Sequence, residues 1–176
     1  IAADIKDYFN SDNAFLDIKI IVAGQEVDLF NEKEIKHMKD VKGVLSKMNK
    51  VQEISGLYVL IYLFISMTRN KFRWPTVFVN SIVRGCLLTL VLVSTLAVGI
   101  FVGFDSLFEQ FHIALFEAGT WTFDPRTNYL TRLFTEAFFM DASLLIGVSV
   151  FIQASLMYLV LWFARMLLSR NSIRPD

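Results

Sequence analysis

The chain is 176 residues long and 55% hydrophobic, and 17 Lys and Arg balance 17 Asp and Glu. A net charge of zero leaves no basic footprint for a nucleic-acid partner, and a single cysteine, Cys86, excludes an intrachain disulfide or a CxxC-type metal site. The mean hydropathy of +0.50, with charges segregated between long apolar runs, marks a chain that is largely a membrane domain.

Residues 1–53 form the first polar segment. The run Leu16-Asp17-Ile18-Lys19-Ile20-Ile21-Val22, then Ala23-Gly24, then Gln25-Glu26-Val27-Asp28-Leu29-Phe30 alternates apolar and polar around a glycine, which predicts a β-hairpin. Asn31 followed by Glu34 has the spacing of a capping box at a helix start. Met38, Val41, Leu45 and Met48 then recur at helical spacing and give an amphipathic helix, which Gly56 leaves free to run on into the first apolar stretch.

Three stretches are expected to span a membrane: 54–68, 85–104 and 142–164. The first is short, with Gln52 and Arg69 at its ends. The connector 69–84 carries Arg69, Lys71, Arg73 and Arg84, and the tail 165–176 carries Arg165, Arg170 and Arg174. Positive flanks face the cytoplasm, so 1–53 and the loop 105–141 are expected on the outer side. The eight lysines of 1–53 are offset by ten acids, and long outer segments cross regardless of charge. An outward amino-terminal segment needs a carrier, so the expectation is a parent protein with a further transmembrane helix upstream of Ile1, four in all.

The loop 105–141 borders an aromatic belt, because residues 101–139 hold eleven of the 25 aromatic side chains. Phe104, Phe108, Phe111 and Leu115 share one helical face, and Asp124-Pro125 signals a turn. Leu130, Leu133, Phe134, Phe138 and Phe139 predict a second interfacial element. The fold class is therefore an α-helical integral membrane protein, with three transmembrane helices and a small extracytoplasmic part containing a β-hairpin and interfacial amphipathic helices.

Only two histidines are present, His37 and His112, and both border apolar helical faces. Histidine is the side chain whose unperturbed pKa suits proton transfer near neutral pH, and a membrane-side position keeps it neutral and able to accept a proton. The bland reading is a pair of interfacial anchors. Glu34-x-x-His37 and His37-x-x-Asp40 place carboxylates one turn from a histidine, but HExxH is absent and no metal is expected. Trp121, Asp124, Arg126 and Asn128 cluster on one turn; they read as donors around a reacting carbonyl, or simply as an Asp-Pro turn with an aromatic anchor. Gln153, in the middle of the third stretch, is expected to bridge helices. No P-loop, Rossmann or GxSxG motif is present, so neither a nucleotide nor another cofactor is expected.

Three blocks carry a family resemblance: Glu34, His37, Met38, Asp40, Val41 and Lys42; Phe111, His112, Phe116, Gly119, Trp121, Asp124 and Pro125; and Glu136, Phe138, Phe139 and Asp141. In this order, with these spans between them, the chain resembles the lipoprotein intramolecular transacylases, integral membrane proteins of Gram-positive bacteria. The resemblance implies an enzyme in the cell membrane, multi-pass, with its active site at the extracytoplasmic face. Its partners would be membrane lipids and a lipoprotein whose amino-terminal cysteine bears a diacylglyceryl group. The sn-2 acyl chain would move to the α-amino group of the same cysteine, giving a lyso-form lipoprotein. His112 is expected as principal general acid/base and His37 as its partner. Trp121, Asp124, Arg126, Asp40 and Glu34 would shape the site or bind substrate. The rivals are a phospholipid acyltransferase using the same histidines, and a non-enzymatic sensor or scaffold binding lipid or peptide.

Overall fold

The computed structural model describes residues 1–69 and 74–171. Lys71, Arg73 and Arg174, which entered the orientation argument, lie outside the described residues. The architecture is mostly helical, with one small sheet: α1 (Ala2–Asn10), β1 (Lys19–Val22), β2 (Gln25–Asp28), α2 (Glu32–Arg69), α3 (Trp74–Leu115), α4 (Tyr129–Leu133) and α5 (Glu136–Asn171). It divides into two compact units, 1–52 with 105–139, and 53–104 with 140–176.

The first unit has a core of its own. Ile5 and Tyr8 of α1, Leu16, Ile18, Leu29, Phe30, Met38 of α2 and Leu130 of α4 are buried together. Each such side chain is worth about 1.5–3 kcal/mol when fully withdrawn from water. The hairpin pairs Lys19 with Asp28 and Val22 with Gln25. Ala23 and Gly24, at φ 52° and 83°, provide the two left-handed residues of a tight turn that matches strand twist. The ladder is shorter than the alternating pattern, although the Leu29 amide still donates to the Ile18 carbonyl at 2.9 Å. Beyond it, Ile18 and Leu29 turn into the core.

Helix α1 has no counterpart in the sequence expectations. Nine residues are too few to be a stable helix alone. Packing of Ile5 and Tyr8, one turn apart, supplies what propensity does not. Its exposed carbonyl end is bound by Lys42 of α2, whose ammonium donates to the carbonyls of Tyr8, Ser11 and Asn13 at 2.7, 2.6 and 2.8 Å. The same ammonium lies 4.3 Å from the Tyr8 ring centroid. A cation at a helix carboxyl end is favoured by the unsatisfied carbonyls and the helix dipole.

Helix α2 begins as its spacing predicts. The Asn31 side chain accepts the Glu34 amide at 3.0 Å, and the Glu34 carboxylate accepts the Asn31 amide at 2.9 Å. From there α2 is continuous to Arg69, so the amphipathic helix and the first apolar stretch are one element. Helix α3 likewise carries the second apolar stretch on into the segment holding His112. It is interrupted at Gly103, where φ −171° and ψ 70° leave the helical region.

Three helices, α2, α3 and α5, are long and apolar enough to cross a membrane. In the second unit the Ser81 hydroxyl donates to the Val77 carbonyl at 2.9 Å. The Tyr62 hydroxyl is therefore the donor in its 2.8 Å bond to Ser81, a polar tie between α2 and α3. Gln153, expected to bridge helices, is exposed on α5. That helix buries little of its apolar surface against the other described residues.

Candidate active site

The site lies wholly within the first unit, where α2 brings His37 and the end of α3 brings His112 to within 6.3 Å, ring centroid to ring centroid. The two imidazoles are 23° from parallel, and both are buried. Aromatic rings surround them. Phe116 lies 4.9 Å from His37 and 5.5 Å from His112, Phe123 lies 5.4 Å from His37, and Trp121 lies 4.9 Å from His112. Phe108, one turn before His112 on α3, lies 4.1 Å from its ring.

The two histidines differ in their hydrogen bonds, and that difference fixes what each can do. His112 Nδ1 is 2.7 Å from the Phe108 carbonyl. A carbonyl can only accept, so neutral His112 carries its proton on Nδ1 and keeps the Nε2 lone pair for a proton. His37 Nδ1 is buried and finds no hydrogen-bond partner among the described residues. Burial and the adjacent His112 push the His37 pKa down to about 4, against the pull of the Asp40 carboxylate, and Lys33 adds to the depression. His37 is therefore neutral at physiological pH, able to donate one N–H but a poor base.

Both rings line an apolar cavity of about 250 Å³. Trp121 lines it beside them. Met38, Val41 and Leu45 form a wall along α2, and Phe9 of α1 and Phe138 and Phe139 contribute others. Few polar groups reach it, so water competes weakly for the histidines and for any acyl chain.

Glu34, buried to 1% exposure, does not face the cavity. It closes the capping box of α2 and accepts the Leu130 amide at 2.8 Å through its other oxygen. One carboxylate thus pins the start of the His37 helix to the start of α4. Asp40 is partly exposed and reaches His37 through its charge alone. Asp124 and Arg126 are not among the cavity-lining residues. The Asp124 carboxylate accepts the Arg126 amide at 2.9 Å, and the Asn128 side chain accepts the Asp124 amide at 2.9 Å. The first is the hydrogen bond of an Asx-turn, and the second closes the loop over it from Asn128. The guanidinium of Arg132 donates to the carbonyls of Pro125 and Arg126 and holds that turn.

The structure thus brings together His37, His112 and Trp121, with Glu34 behind them, and leaves Asp124 and Arg126 on the turn outside. Sequence reading missed Phe108 as the tautomer-fixing partner, although its place four residues before His112 was a visible signal. Phe9 and Lys42's grip on α1 had no such signal. Among the described residues, no cluster of three or more His, Cys, Asp or Glu could hold a metal.

Comparison with curated protein sequences finds no match. Among solved structures, the chain is similar to the in meso structure of the membrane integral lipoprotein intramolecular transacylase Lit from Bacillus cereus. The TM-score is 0.72 at 21% identity, covering 98% of this chain and 73% of that one. At that identity the likeness is one of fold. A family profile described as lipoprotein intramolecular transacylase Lit matches residues 2–139, which includes both histidines and every residue of the cavity. The chain belongs to the lipoprotein intramolecular transacylase (Lit) family.

Proposed function

We propose that the protein is a membrane acyltransferase of Gram-positive bacteria. It moves the sn-2 acyl chain of an S-diacylglyceryl-cysteine lipoprotein to the α-amino group of the same cysteine. The observation that carries the reading is the pair of buried histidines in one apolar cavity, one with a lone pair kept free by its tautomer and one held neutral. The cavity opens in this reading to the outer face of the membrane, with 1–53 and 105–141 outside, the connector 69–84 and the tail 165–176 inside, and spans over 54–68, 85–104 and 142–164.

Amine and ester belong to one molecule, so the attack is intramolecular, and good orientation can supply on the order of 7–11 kcal/mol towards the barrier. The ammonium of the substrate, with a pKa of about 8, first releases a proton to solvent. The free amine attacks the ester carbonyl and forms the C–N bond. His112 Nε2 takes the surplus proton from the attacking nitrogen. The tetrahedral oxyanion is stabilised by the N–H of neutral His37, a donor that carries no charge of its own to be desolvated. Collapse breaks the C–O bond, and imidazolium His112 delivers its proton to the departing sn-2 oxygen. The products are an amide and a free glycerol hydroxyl, and no nucleotide or external acyl donor is consumed. The faces of Phe108 and Trp121 stabilise the transient imidazolium.

The test is mass spectrometry of a lipoprotein's amino-terminal peptide, from a Gram-positive host that leaves its lipoproteins diacylated with a free amine. Expression of the protein should yield one acyl chain on nitrogen and one left on glycerol. His112→Ala should restore the free amine, with the variant still present in the membrane at normal level. A free amine and two glycerol esters despite good expression would remove the lipoprotein from the reading. Lysophospholipid accumulation in its place would identify a phospholipid acyltransferase, and an active His112→Ala variant would return His112 to a structural role.

A further inference from the structure

The reading above says which bond is made but not which acyl chains are accepted, and the cavity's walls bear on that. Val41 and Leu45 line it together with His37. They stand four and eight residues beyond His37 on α2, so the wall they form extends about 12 Å along the helix axis at 1.5 Å per residue. That is the direction in which an acyl chain would run from a carbonyl held at the histidines. The same cavity is lined by a side chain from a different element, Phe9 of α1. The grip on α1 is local to the same stretch: Lys42, between Val41 and Leu45 in sequence, binds the carbonyl of Tyr8, the residue before Phe9, and those of Ser11 and Asn13 after it. The Tyr8 ring lies 5.4 Å from the Phe9 ring and is itself buried, so Phe9 is flanked by fixed groups on both sides.

We infer that Phe9, held by the Lys42 clasp, is the specificity-determining residue for the acyl chain. It narrows the apolar cavity beyond the histidines and so sets how long or how bulky a chain can be accommodated when the carbonyl reaches His112. The inference rests on the acyl-transfer reading. Phe9 takes no part in proton transfer, so its size changes which chains fit, not whether the chemistry occurs. Discrimination by bulk in an apolar pocket is modest per methylene, about ten- to two-hundred-fold at most, so the effect appears as a ratio between substrates.

The experiment uses the full chain in membranes and two synthetic S-diacylglyceryl-cysteine peptides in competition, one with a short and one with a long sn-2 chain. The two N-acylated products are quantified by mass spectrometry. Phe9→Ala and Phe9→Leu should raise the long-to-short ratio in that order, Ala more than Leu, with about a tenfold change for Ala. Phe9→Trp should lower it below the natural enzyme. Lys42→Met should move the ratio in the direction of Phe9→Ala, because it frees α1 without altering the cavity's own side chains. A residue that serves stability alone would lower both products together and leave the ratio unchanged across the series, which overturns the proposal. Absence of N-acylated product from the natural enzyme would instead remove the acyl-transfer reading itself.

Discussion

His37 and His112 share a cavity, yet a hydrogen bond at one ring and an unpartnered ring nitrogen at the other make them different reagents. The difference is measurable without turnover, through the low pKa of His37. In the unfolded chain the imidazole titrates near 6.5, and in the folded protein near 4. Between those values the unfolded state binds the proton that the folded state refuses. Linkage therefore makes stability fall as pH drops from about 6.5 to about 4, with the loss complete below the folded value and no contribution above 6.5. Other groups titrate in the same window, so the quantity to read is the difference between the natural protein and His37→Gln, followed as Tm against pH in detergent. The expected result is a Tm for the natural protein that declines more steeply than the variant's on acidification. Parallel curves would mean that the ring is hydrated and ordinary, and an uncharged His37 at the oxyanion would lose its support.

At the scale of elements, the site depends on segments far apart in sequence being held in register, and one carboxylate does much of this. Glu34 joins the first turn of α2 to the Leu130 amide of α4, 96 residues later. Charge-assisted hydrogen bonds of this kind are worth about 1.5–3 kcal/mol each, and a buried donor left unpaired costs a similar amount. Glu34→Ala should therefore lower stability by about 2 kcal/mol. Leu130, Phe134 and their neighbours line the same cavity as His37, so N-acyl transfer should fall by more than the stability loss explains. Glu34→Gln, whose one carbonyl can serve only one of the two backbone donors, should fall between. Chemical denaturation in detergent, beside the lipoprotein mass assay, separates the two effects; equal transfer by all three proteins at a temperature where all are folded would make Glu34 a stabiliser only. The local half of this arrangement was legible in the sequence. Asn31-x-x-Glu34 is a capping box by spacing, the alternation around Ala23-Gly24 is a hairpin, and His37 and His112 fall on apolar faces by periodicity. The non-local half was not. Nothing in the spacing of Glu34 points to Leu130, and nothing in Lys42 points to the carbonyls of α1. Helix α1 was missed for the same reason, since its nine residues are helical through burial of Ile5 and Tyr8 against residues distant in sequence. Asp124 and Arg126 lie on a turn outside the cavity lining, and turn residues and active-site residues draw on the same polar alphabet, so spacing alone does not separate the two roles.

For the whole molecule, the functional reading requires a definite sidedness, since the two histidines must meet a lipoprotein at the outer face. α2, α3 and α5 are long and apolar enough to cross, and if each crosses, the polar segments between them alternate between the two sides. The charge rule then decides which side is which. Arg69 and Arg84 flank the connector after the first stretch, and Arg165 follows the third, whereas the loop between the second and third stretches is bordered by Asp105 and Asp141. Cationic flanks resist translocation and acidic ones do not, so the proposed reading puts the connector inside and the segments with His37 and His112 outside. Two exposed positions test this: Glu26 in β2 and Arg69 at the end of α2. In a Cys86→Ala background, which removes the sole native thiol, Glu26→Cys should react with a membrane-impermeant maleimide on intact cells. Arg69→Cys should react only after the membrane is permeabilised. Each variant is its own control for expression, because denatured samples must label equally. The reverse pattern would place both histidines on the cytoplasmic side, and the transacylase reading would then need a substrate presented from within the cell. Labelling of both positions on intact cells would break the alternation itself and leave fewer than three of these helices crossing the membrane.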